Sequence, residues 1–273
     1  MDKNAPIGVF DSGVGGLTVA REIMRQLPEE RLIYFGGTAR LPYGNKSKKT
    51  IIRYSEQIIR FLRTKEVKAI VVACNTASSY ALDEVRKIVD VPIIGVINAG
   101  ARAAVSATKN GKIGVIGTEG TINSGTYAEV LKEMKPGVEV FGKACPLFVP
   151  LVEEGLLHDT VTDEIASRYL SVLKEKYIDT LVLGCTHYPL LRSTIARTMG
   201  DDVTLINPAY ETAVQLKTLL KSMEMNCDGE RVVMPGEKYQ FFVSDMAEKF
   251  CAFATSILPD EVKETVQIDI ETC

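Results

Sequence analysis

Closely spaced pairs of cysteines are missing from this chain of 273 residues. It has six cysteines and two histidines, and no two of the cysteines lie within four residues of each other. This spacing excludes the zinc-finger and zinc-ribbon patterns and the Cys-x-x-Cys motif of thioredoxin-like proteins. We therefore expect no metal site.

Basic clusters and long apolar runs are missing as well. The formal net charge is −3 at pH 7, and no block of lysine or arginine marks a surface for nucleic acid or for an anionic membrane. Residues 1–6 lack the apolar stretch of a signal peptide, and no apolar run approaches the length needed to span a membrane. We therefore expect a cytoplasmic protein with free thiols that binds neither nucleic acid nor membranes.

Complete nucleotide-binding motifs are the third absence. The glycine-rich segment 13–16 resembles part of the dinucleotide fingerprint, but that motif requires a glycine at position 18, where this chain has Thr18. No acidic residue is suitably placed for a ribose, and no Gly-Lys-Ser/Thr sequence completes a phosphate-binding loop. These absences disfavour binding of a nucleotide. Because no other cofactor motif is present, we expect no cofactor.

Short apolar runs alternate with helical patterns along most of the chain. The predicted strands are 7–10, 31–35, 69–73, 91–97, 113–116, 138–141, 180–184, 203–206 and 238–243. The predicted helices are 16–27, 47–64, 77–89, 122–134, 160–176, 189–199, 211–222 and 244–256. This alternation is typical of βαβ units, and it predicts an α/β protein with parallel sheets.

Strand ends recur along the chain at nearly the same spacing. The segment 7–13 is echoed 106 residues later by the segment 113–119. Cys74 and its surroundings are echoed 111 residues later by Cys185. Echoes in the same order and at nearly one period predict two similar doubly wound parallel-sheet domains, related by internal pseudo-symmetry.

The predicted domain boundaries follow from a third, weaker echo. It ends at Asn98 in the first unit and at Asn207 in the second, at an offset of 109 residues. The tail after Asn207 contains further helical and strand-like segments, and we expect it to pack on the first unit. The prediction is a first domain of 1–97 plus 208–273, a second domain of 98–207, and an active site in the cleft between them.

Two cysteines stand at the ends of predicted strands. Cys74 and Cys185 each follow a short apolar run and precede small hydrogen-bonding residues. Ligands of open α/β sheets bind at the carboxyl ends of such buried strands. A lone cysteine there is usually a packing residue, but the duplicated setting favours two functional thiols, each near a helix N-terminus that lowers the pKa of a thiol. The remaining cysteines lack this setting, and we expect structural or surface roles for Cys145, Cys227, Cys251 and Cys273.

Polar residues near the two cysteines have more than one interpretation. Asp11 and Ser12 suit a helix N-cap, but Asp11 also suits proton exchange with a thiol and Ser12 suits binding of an anionic ligand. His187 is either a capping or surface residue or a base that activates Cys185. His158 lies in a polar segment and is expected to be solvated.

Two thiols that face one small site suit one reaction in particular. Inversion of a stereocentre without a cofactor removes a carbon-bound proton from one face and returns a proton to the other, so it needs two bases. A thiolate and a thiol can exchange these roles with each turnover. A two-lobed protein that only binds an anionic small molecule is the alternative, although it leaves the paired cysteines unexplained.

Four segments carry a motif set that resembles the bacterial glutamate racemases: 9–16, 41–44, 73–78 and 184–190. The resemblance spans about residues 5–210. It implies cofactor-independent interconversion of L- and D-glutamate, supply of D-glutamate for peptidoglycan synthesis, and a homodimer. Aspartate racemases share the two-cysteine plan, so a racemase of aspartate or of another carboxylate is the alternative within the enzymes.

The same resemblance implies roles for individual residues. It implies that Cys74 and Cys185 are the two catalytic bases, with Cys185 acting on L-glutamate and Cys74 on D-glutamate. The polar residues implied to assist proton transfer are Asp11, Glu153 and His187. The substrate-binding positions implied are Asp11, Ser12, Pro42, Tyr43, Gly44, Asn75, Thr76, Thr186 and His187.

Overall fold

Two parallel β-sheets frame the protein. The computed structural model describes residues 2–227 and 236–272. The strands described are β1 (Ile7–Asp11), β2 (Leu32–Gly36), β3 (Ala69–Val72), β4 (Ile93–Gly95), β5 (Lys112–Gly117), β6 (Glu139–Ala144), β7 (Thr180–Gly184), β8 (Thr204–Ile206), β9 (Tyr239–Val243) and β10 (Thr265–Gln267). The first sheet has the order β10-β9-β2-β1-β3-β4, and the second has the order β6-β5-β7-β8.

Helices connect these strands and cover the sheets. Those described are α1 (Leu17–Gln26), α2 (Lys48–Thr64), α3 (Asn75–Tyr80), α4 (Leu82–Arg86), α5 (Val96–Ala107), α6 (Glu119–Asn123), α7 (Thr126–Met134), α8 (Phe148–Glu153), α9 (Thr160–Lys174), α10 (Arg192–Met199), α11 (Pro208–Ser222) and α12 (Ala247–Ile257). Short 3₁₀ helices span Thr38–Arg40, Tyr43–Asn45, Tyr188–Leu191 and Ile270–Thr272. No helix in the described part of the chain is both long and apolar enough to cross a membrane.

The strand order repeats between the two sheets. The run β2-β1-β3-β4 in the first sheet corresponds to β6-β5-β7-β8 in the second, so the echoed segments of the sequence occupy equivalent strands. Every strand pair within these runs is parallel. The sequence-based prediction of two similar doubly wound α/β units is therefore confirmed.

Both faces of the first sheet are packed against helices. Along β3, Ala69 and Val71 join one apolar core, and Ile70 and Val72 join the other. Successive side chains of a strand point to opposite faces, so this alternation places a core on each side of the sheet. A strand that is buried on both faces reads in the sequence as a continuous apolar run, which is why these runs were recognisable.

One predicted strand is wrong at its end. The strand predicted at 91–97 stops at Gly95, and Val96 already begins α5. This helix packs against α11 on one side and α7 on the other, which buries most of its first two turns. Val96 and Ile97 are buried and apolar, so the start of the helix continues the apolar run of the strand.

Other differences concern helix breaks and short elements. The helix predicted at 122–134 is interrupted at Gly125, which adopts a left-handed backbone with φ of 73° that a glycine accommodates without strain. The helix predicted at 77–89 is divided between α3 and α4. The sequence did not predict α8 or the edge strand β10, each of six residues or fewer. Elements this short contain too few residues to show the hydrophobic periodicity of a helix or a strand.

Each sheet is formed by separate parts of the chain. The first sheet uses residues 7–95 and 239–267, and the second uses only residues 112–206. The predicted boundary between residues 97 and 98 falls inside α5, and the one between 207 and 208 falls at the start of α11. The domain limits of 1–97 plus 208–273 and 98–207 stay a prediction.

Candidate active site

Equivalent strand ends of the two lobes supply the candidate site. In each lobe the strand order reverses between the first and third strands of the unit, that is, between β1 and β3 and between β5 and β7. Ligands of open α/β sheets bind at the carboxyl ends of strands at such a reversal. Ser12 and Cys74 follow the first pair of strands, and Thr118 and Cys185 follow the second pair.

One small cavity is lined by residues from both lobes. Cys74 and Cys185 both lie on its wall, and both are buried, with 5% and 6% of their surface exposed. The other predicted site residues on the wall are Ser12, Pro42, Tyr43, Gly44, Asn75, Thr76, Thr186 and His187. Of the residues predicted for the site, Asp11 and Glu153 stand behind the wall rather than on it. In the described ranges 2–227 and 236–272, no cluster of His, Cys, Asp and Glu side chains is arranged to hold a metal ion.

Cys74 occupies the N-cap position of α3. Its sulfur accepts a hydrogen bond from the backbone N–H of Ala77 at 3.4 Å, and its thiol donates towards the hydroxyl of Ser12 at 3.7 Å. Burial and the nearby charge of Asp11 raise the pKa of Cys74 to about 12. The expectation that the helix N-terminus lowers the pKa of this thiol is therefore wrong, because desolvation outweighs the single backbone hydrogen bond.

Asp11 lies in the protein interior behind Cys74 and Ser12. Its side chain is fully buried, and one carboxylate oxygen accepts hydrogen bonds from the N–H of Gly13 at 2.9 Å and from the hydroxyl of Ser12 at 3.5 Å. The other oxygen is buried without a partner. Desolvation raises the pKa of this carboxyl group above its ordinary value. A buried carboxyl group of this kind can exchange a proton with its surroundings at higher pH than an exposed one.

The glycine-rich segment after β1 is explained by close packing. A Cβ atom at Gly16 would lie 2.4 Å from the Cβ atom of Asp11. A Cβ atom at Gly15 would lie 2.3 Å from the hydroxyl oxygen of Thr186 and 2.5 Å from Nδ1 of His187. Gly15 therefore lets the segment approach the second lobe at the site, and Gly16 lets it pack against Asp11.

His187 connects Cys185 to Glu153. Nδ1 of His187 lies 3.8 Å from the sulfur of Cys185, and Nε2 lies 3.0 Å from Oε1 of Glu153. Burial opposes a charge on the imidazole, but the hydrogen bonds to Cys185 and Glu153 outweigh it and raise the pKa of His187 to about 10. The hydrogen bond from His187 lowers the pKa of Glu153. At neutral pH this arrangement therefore places an imidazolium between the carboxylate of Glu153 and the sulfur of Cys185.

The buried setting of His187 rules out one of its interpretations, that of a surface residue. Only 4% of its surface is exposed, so it is not a surface histidine. His158 is exposed, as expected. Cys145 is buried in the core of the second lobe beside Phe148, and Cys227 and Cys251 are partly exposed. Cys273 lies outside the described residues.

Threonine hydroxyls form a part of the wall that the sequence did not predict. Oγ1 of Thr76 lies 2.9 Å from Oγ1 of Thr118 and 3.2 Å from Oγ1 of Thr121, and this contact joins the two lobes. Thr118 follows β5 as Ser12 follows β1, so the echo between their segments was an available signal. The remaining wall residues that sequence reasoning missed are Leu41, Val149 and Gly184.

The fold and the cavity together define a class of protein. It is a two-lobed α/β protein in which each lobe contributes one buried thiol, from an equivalent strand end, to a shared cavity. The model of the family described as Asp/Glu/Hydantoin racemase matches residues 7–216. The chain belongs to this family, which confirms the resemblance found in the four sequence motifs.

Similar proteins cover almost the whole chain. The chain is 47% identical to a glutamate racemase of Geobacter metallireducens over 265 residues, which is 97% of each protein. Its structure matches a glutamate racemase isoform of Bacillus anthracis with a TM-score of 0.92 and 42% identity, covering 98% of both chains. It also matches a glutamate racemase of Francisella tularensis in complex with D-glutamate, with a TM-score of 0.91 and 39% identity, covering 99% of this chain and 100% of the other.

Proposed function

We propose that this protein is a glutamate racemase that interconverts L- and D-glutamate through its two cavity thiols, without a cofactor. The observation that carries the proposal is the pair Cys74 and Cys185, one from each lobe, on the wall of one cavity. The substrate assignment is supported by relatives across nearly the full length that are named glutamate racemases. The reaction assignment is supported by the need for two bases on opposite faces of one carbon.

The charges around the two thiols differ, and this difference sets their starting roles. Nδ1 of the His187 imidazolium lies 3.8 Å from the sulfur of Cys185 and can donate a hydrogen bond to it. Cys74 has a pKa raised to about 12 and therefore starts as a neutral thiol. We therefore assign Cys185 as the base and Cys74 as the acid when L-glutamate is the substrate.

One turnover from L-glutamate then balances as two proton transfers. The Cys185 thiolate takes the α-proton, so the C–H bond breaks, an S–H bond forms and the electron pair stays on the carbon as a carbanion. The Cys74 thiol gives its proton to the opposite face of that carbon and becomes a thiolate. D-Glutamate leaves, and proton exchange with solvent or a turnover in the reverse direction restores the starting state.

Neutral hydrogen-bond donors surround the thiols in the cavity. The wall formed by the described residues contains no lysine or arginine, so the substrate carboxylates would be bound by hydroxyl, amide and backbone N–H groups. Those donors are Ser12, Asn75, Thr76 and Thr186 together with the backbone at Gly44. Pro42 and Tyr43 also line the cavity. Asp11 and Glu153 act from behind the wall, on Cys74 and His187 respectively.

The proposal extends to the setting in which the protein works. The family resemblance supports a homodimer, a cytoplasmic location and supply of D-glutamate for peptidoglycan synthesis. A racemase of aspartate or of another carboxylate is the alternative within the same two-cysteine plan. A protein that only binds an anionic small molecule is the alternative from another class, and it gives no reason for a thiol at each of the two equivalent strand ends.

Circular dichroism of pure L-glutamate tests the proposed function. The purified and dialysed protein should bring the optical activity to zero, with no pyridoxal phosphate, nucleotide or metal added, because the two thiols are sufficient bases. Pure D-glutamate should reach the same end point. Loss of activity after dialysis against a chelator, with recovery on adding a metal, would rule out the cofactor-free mechanism. Faster racemisation of L-aspartate than of L-glutamate would favour the alternative substrate, and binding of glutamate without any change in its rotation would favour the binding protein.

A further inference from the structure

A buried tyrosine of the second lobe contacts the residue that follows Cys74. Tyr127, in α7, has 3% of its surface exposed, and its hydroxyl donates a hydrogen bond to Oδ1 of Asn75 at 2.8 Å. Asn75 belongs to the first lobe, is itself 4% exposed, and lies on the wall of the cavity. Tyr127 is not on that wall, so it does not touch a ligand bound there.

We propose that Tyr127 is a positioning residue that fixes the orientation of the Asn75 amide, so that the NH₂ group of Asn75 faces the cavity and binds a substrate carboxylate. This inference rests on the proposed function, because it names what holds one carboxylate of that substrate.

The direction of the hydrogen bond follows from the charge state of the tyrosine. Burial raises the pKa of Tyr127 far above its ordinary value, so its hydroxyl keeps its proton and can donate. An asparagine side chain has one acceptor oxygen and two N–H donors. With the oxygen occupied by Tyr127, the donors remain for the cavity. A carboxylate can only accept hydrogen bonds, so this is the orientation of Asn75 that binds it, and the flipped amide would present an oxygen to it.

The ring of Tyr127 is held in place by the strand that carries the other thiol. A Cβ atom at Gly184 would lie 3.2 Å from Cε2 of Tyr127, so the ring packs directly against the end of β7. Gly184 precedes Cys185, and Asn75 follows Cys74. Tyr127 therefore contacts both thiol-bearing segments, and it can hold the amide of Asn75 in a fixed position relative to both.

Replacement of Tyr127 by phenylalanine tests the proposal, because it keeps the ring and removes only the hydroxyl. We expect KM for both enantiomers of glutamate, and the dissociation constant of glutamate measured by calorimetry, to rise about five- to tenfold, a range typical of losing one hydrogen bond that orients a ligand-binding group. We expect kcat to change by about twofold or less, since the thiols are untouched. Tyr169→Phe is the matched control, because the Tyr169 hydroxyl accepts a hydrogen bond from the N–H of Leu147 outside the cavity, and it should behave like the wild type.

A double-mutant cycle separates positioning from simple packing. Asn75→Ala should weaken glutamate binding, and Tyr127→Phe in that background should weaken it no further, because the amide that Tyr127 orients is gone. Additive effects of the two substitutions would overturn the proposal. An unchanged dissociation constant in Tyr127→Phe, or a fall in kcat with binding unchanged, would overturn it as well.

A second variant keeps the proposal testable if Tyr127→Phe fails to fold. Asn75→Asp retains an acceptor for the Tyr127 hydroxyl but presents a carboxylate oxygen to the substrate, so it should bind glutamate more weakly than Asn75→Ala does. Binding by Asn75→Asp that equals or exceeds that of Asn75→Ala would overturn the assignment of the NH₂ group. These experiments measure binding of glutamate as well as its turnover. A wild-type protein that binds glutamate without racemising it would refute the proposed function. The effect of Tyr127 on glutamate binding could still be tested in such a protein.

Discussion

Replacing either cavity thiol is expected to stop racemisation. Cys74→Ala and Cys185→Ala should each lower kcat/KM by about 10²–10⁴-fold or more, the loss typical of removing an essential general base or acid. In the proposed mechanism each thiol serves one face of the α-carbon, so the other thiol cannot replace it. Both variants should fold, since the sulfur of each residue is a small part of a well-packed core. The rate is measured from the change in optical rotation of L-glutamate and of D-glutamate.

Substitution of the other thiols provides the control for this prediction. Cys145→Ala, Cys227→Ala and Cys251→Ala should each keep most of the activity, because none of these residues lies on the cavity wall. Cys145 is the most informative control, since it is fully buried and its pKa is also raised to about 12 by burial. A folded Cys185→Ala variant that racemises glutamate at the wild-type rate would refute the two-base assignment.

The second large effect is expected at His187. His187→Gln removes the imidazolium beside the sulfur of Cys185, so the Cys185 thiolate loses its nearest positive charge. We expect kcat/KM to fall by about 10²-fold. The fall must be equal in the two directions, because L- and D-glutamate are equally stable and the equilibrium constant stays at one. Glu153→Gln should cause a smaller loss, since Glu153 acts only through its hydrogen bond to Nε2 of His187.

Isotope effects show which proton transfer His187 assists. Slowing the steps at Cys185 makes removal of the α-proton from L-glutamate more rate-limiting, so the primary isotope effect with α-deuterated L-glutamate should rise in His187→Gln. The isotope effect with α-deuterated D-glutamate should fall, because reprotonation by Cys185 then limits that direction. A merely structural role predicts equal changes for the two enantiomers, and that outcome would contradict the assignment.

The sequence was sufficient to predict that the two thiols lie close together, and in the structure both line one cavity. Cys74 and Cys185 end equivalent buried runs, and parallel strands place their carboxyl ends at the same edge of a sheet. The duplication then brings the two edges together. The environment of each thiol was not predictable, because it depends on depth of burial. The pKa of Cys74 is raised although a helix begins at the next residue, since desolvation and Asp11 act through the folded structure.

Contacts between the lobes were the other part that the sequence concealed. The sequence does not show that the hydroxyl groups of Thr76, Thr118 and Thr121 contact one another between the lobes. Each of these residues simply lies after a strand or near the start of a helix. Tyr127 likewise looks like one apolar residue of a helix. The strand predicted at 91–97 runs into the start of α5 because Val96 and Ile97 are apolar and buried, like the strand before them. Sequence patterns report burial within a unit, whereas these features arise from packing between units.

Racemisation of L-glutamate in deuterium oxide tests the two-base mechanism most directly. Thiol protons exchange with solvent, so the proton that Cys74 delivers is solvent-derived, whereas the one that Cys185 removes comes from the substrate. Early in the reaction, the D-glutamate formed should carry deuterium at its α-carbon while the remaining L-glutamate keeps its original proton, as measured by mass spectrometry of the separated enantiomers. D-Glutamate that retains the original proton, or remaining L-glutamate that gains deuterium as fast as product forms, would show that a single base serves both faces and would contradict the mechanism.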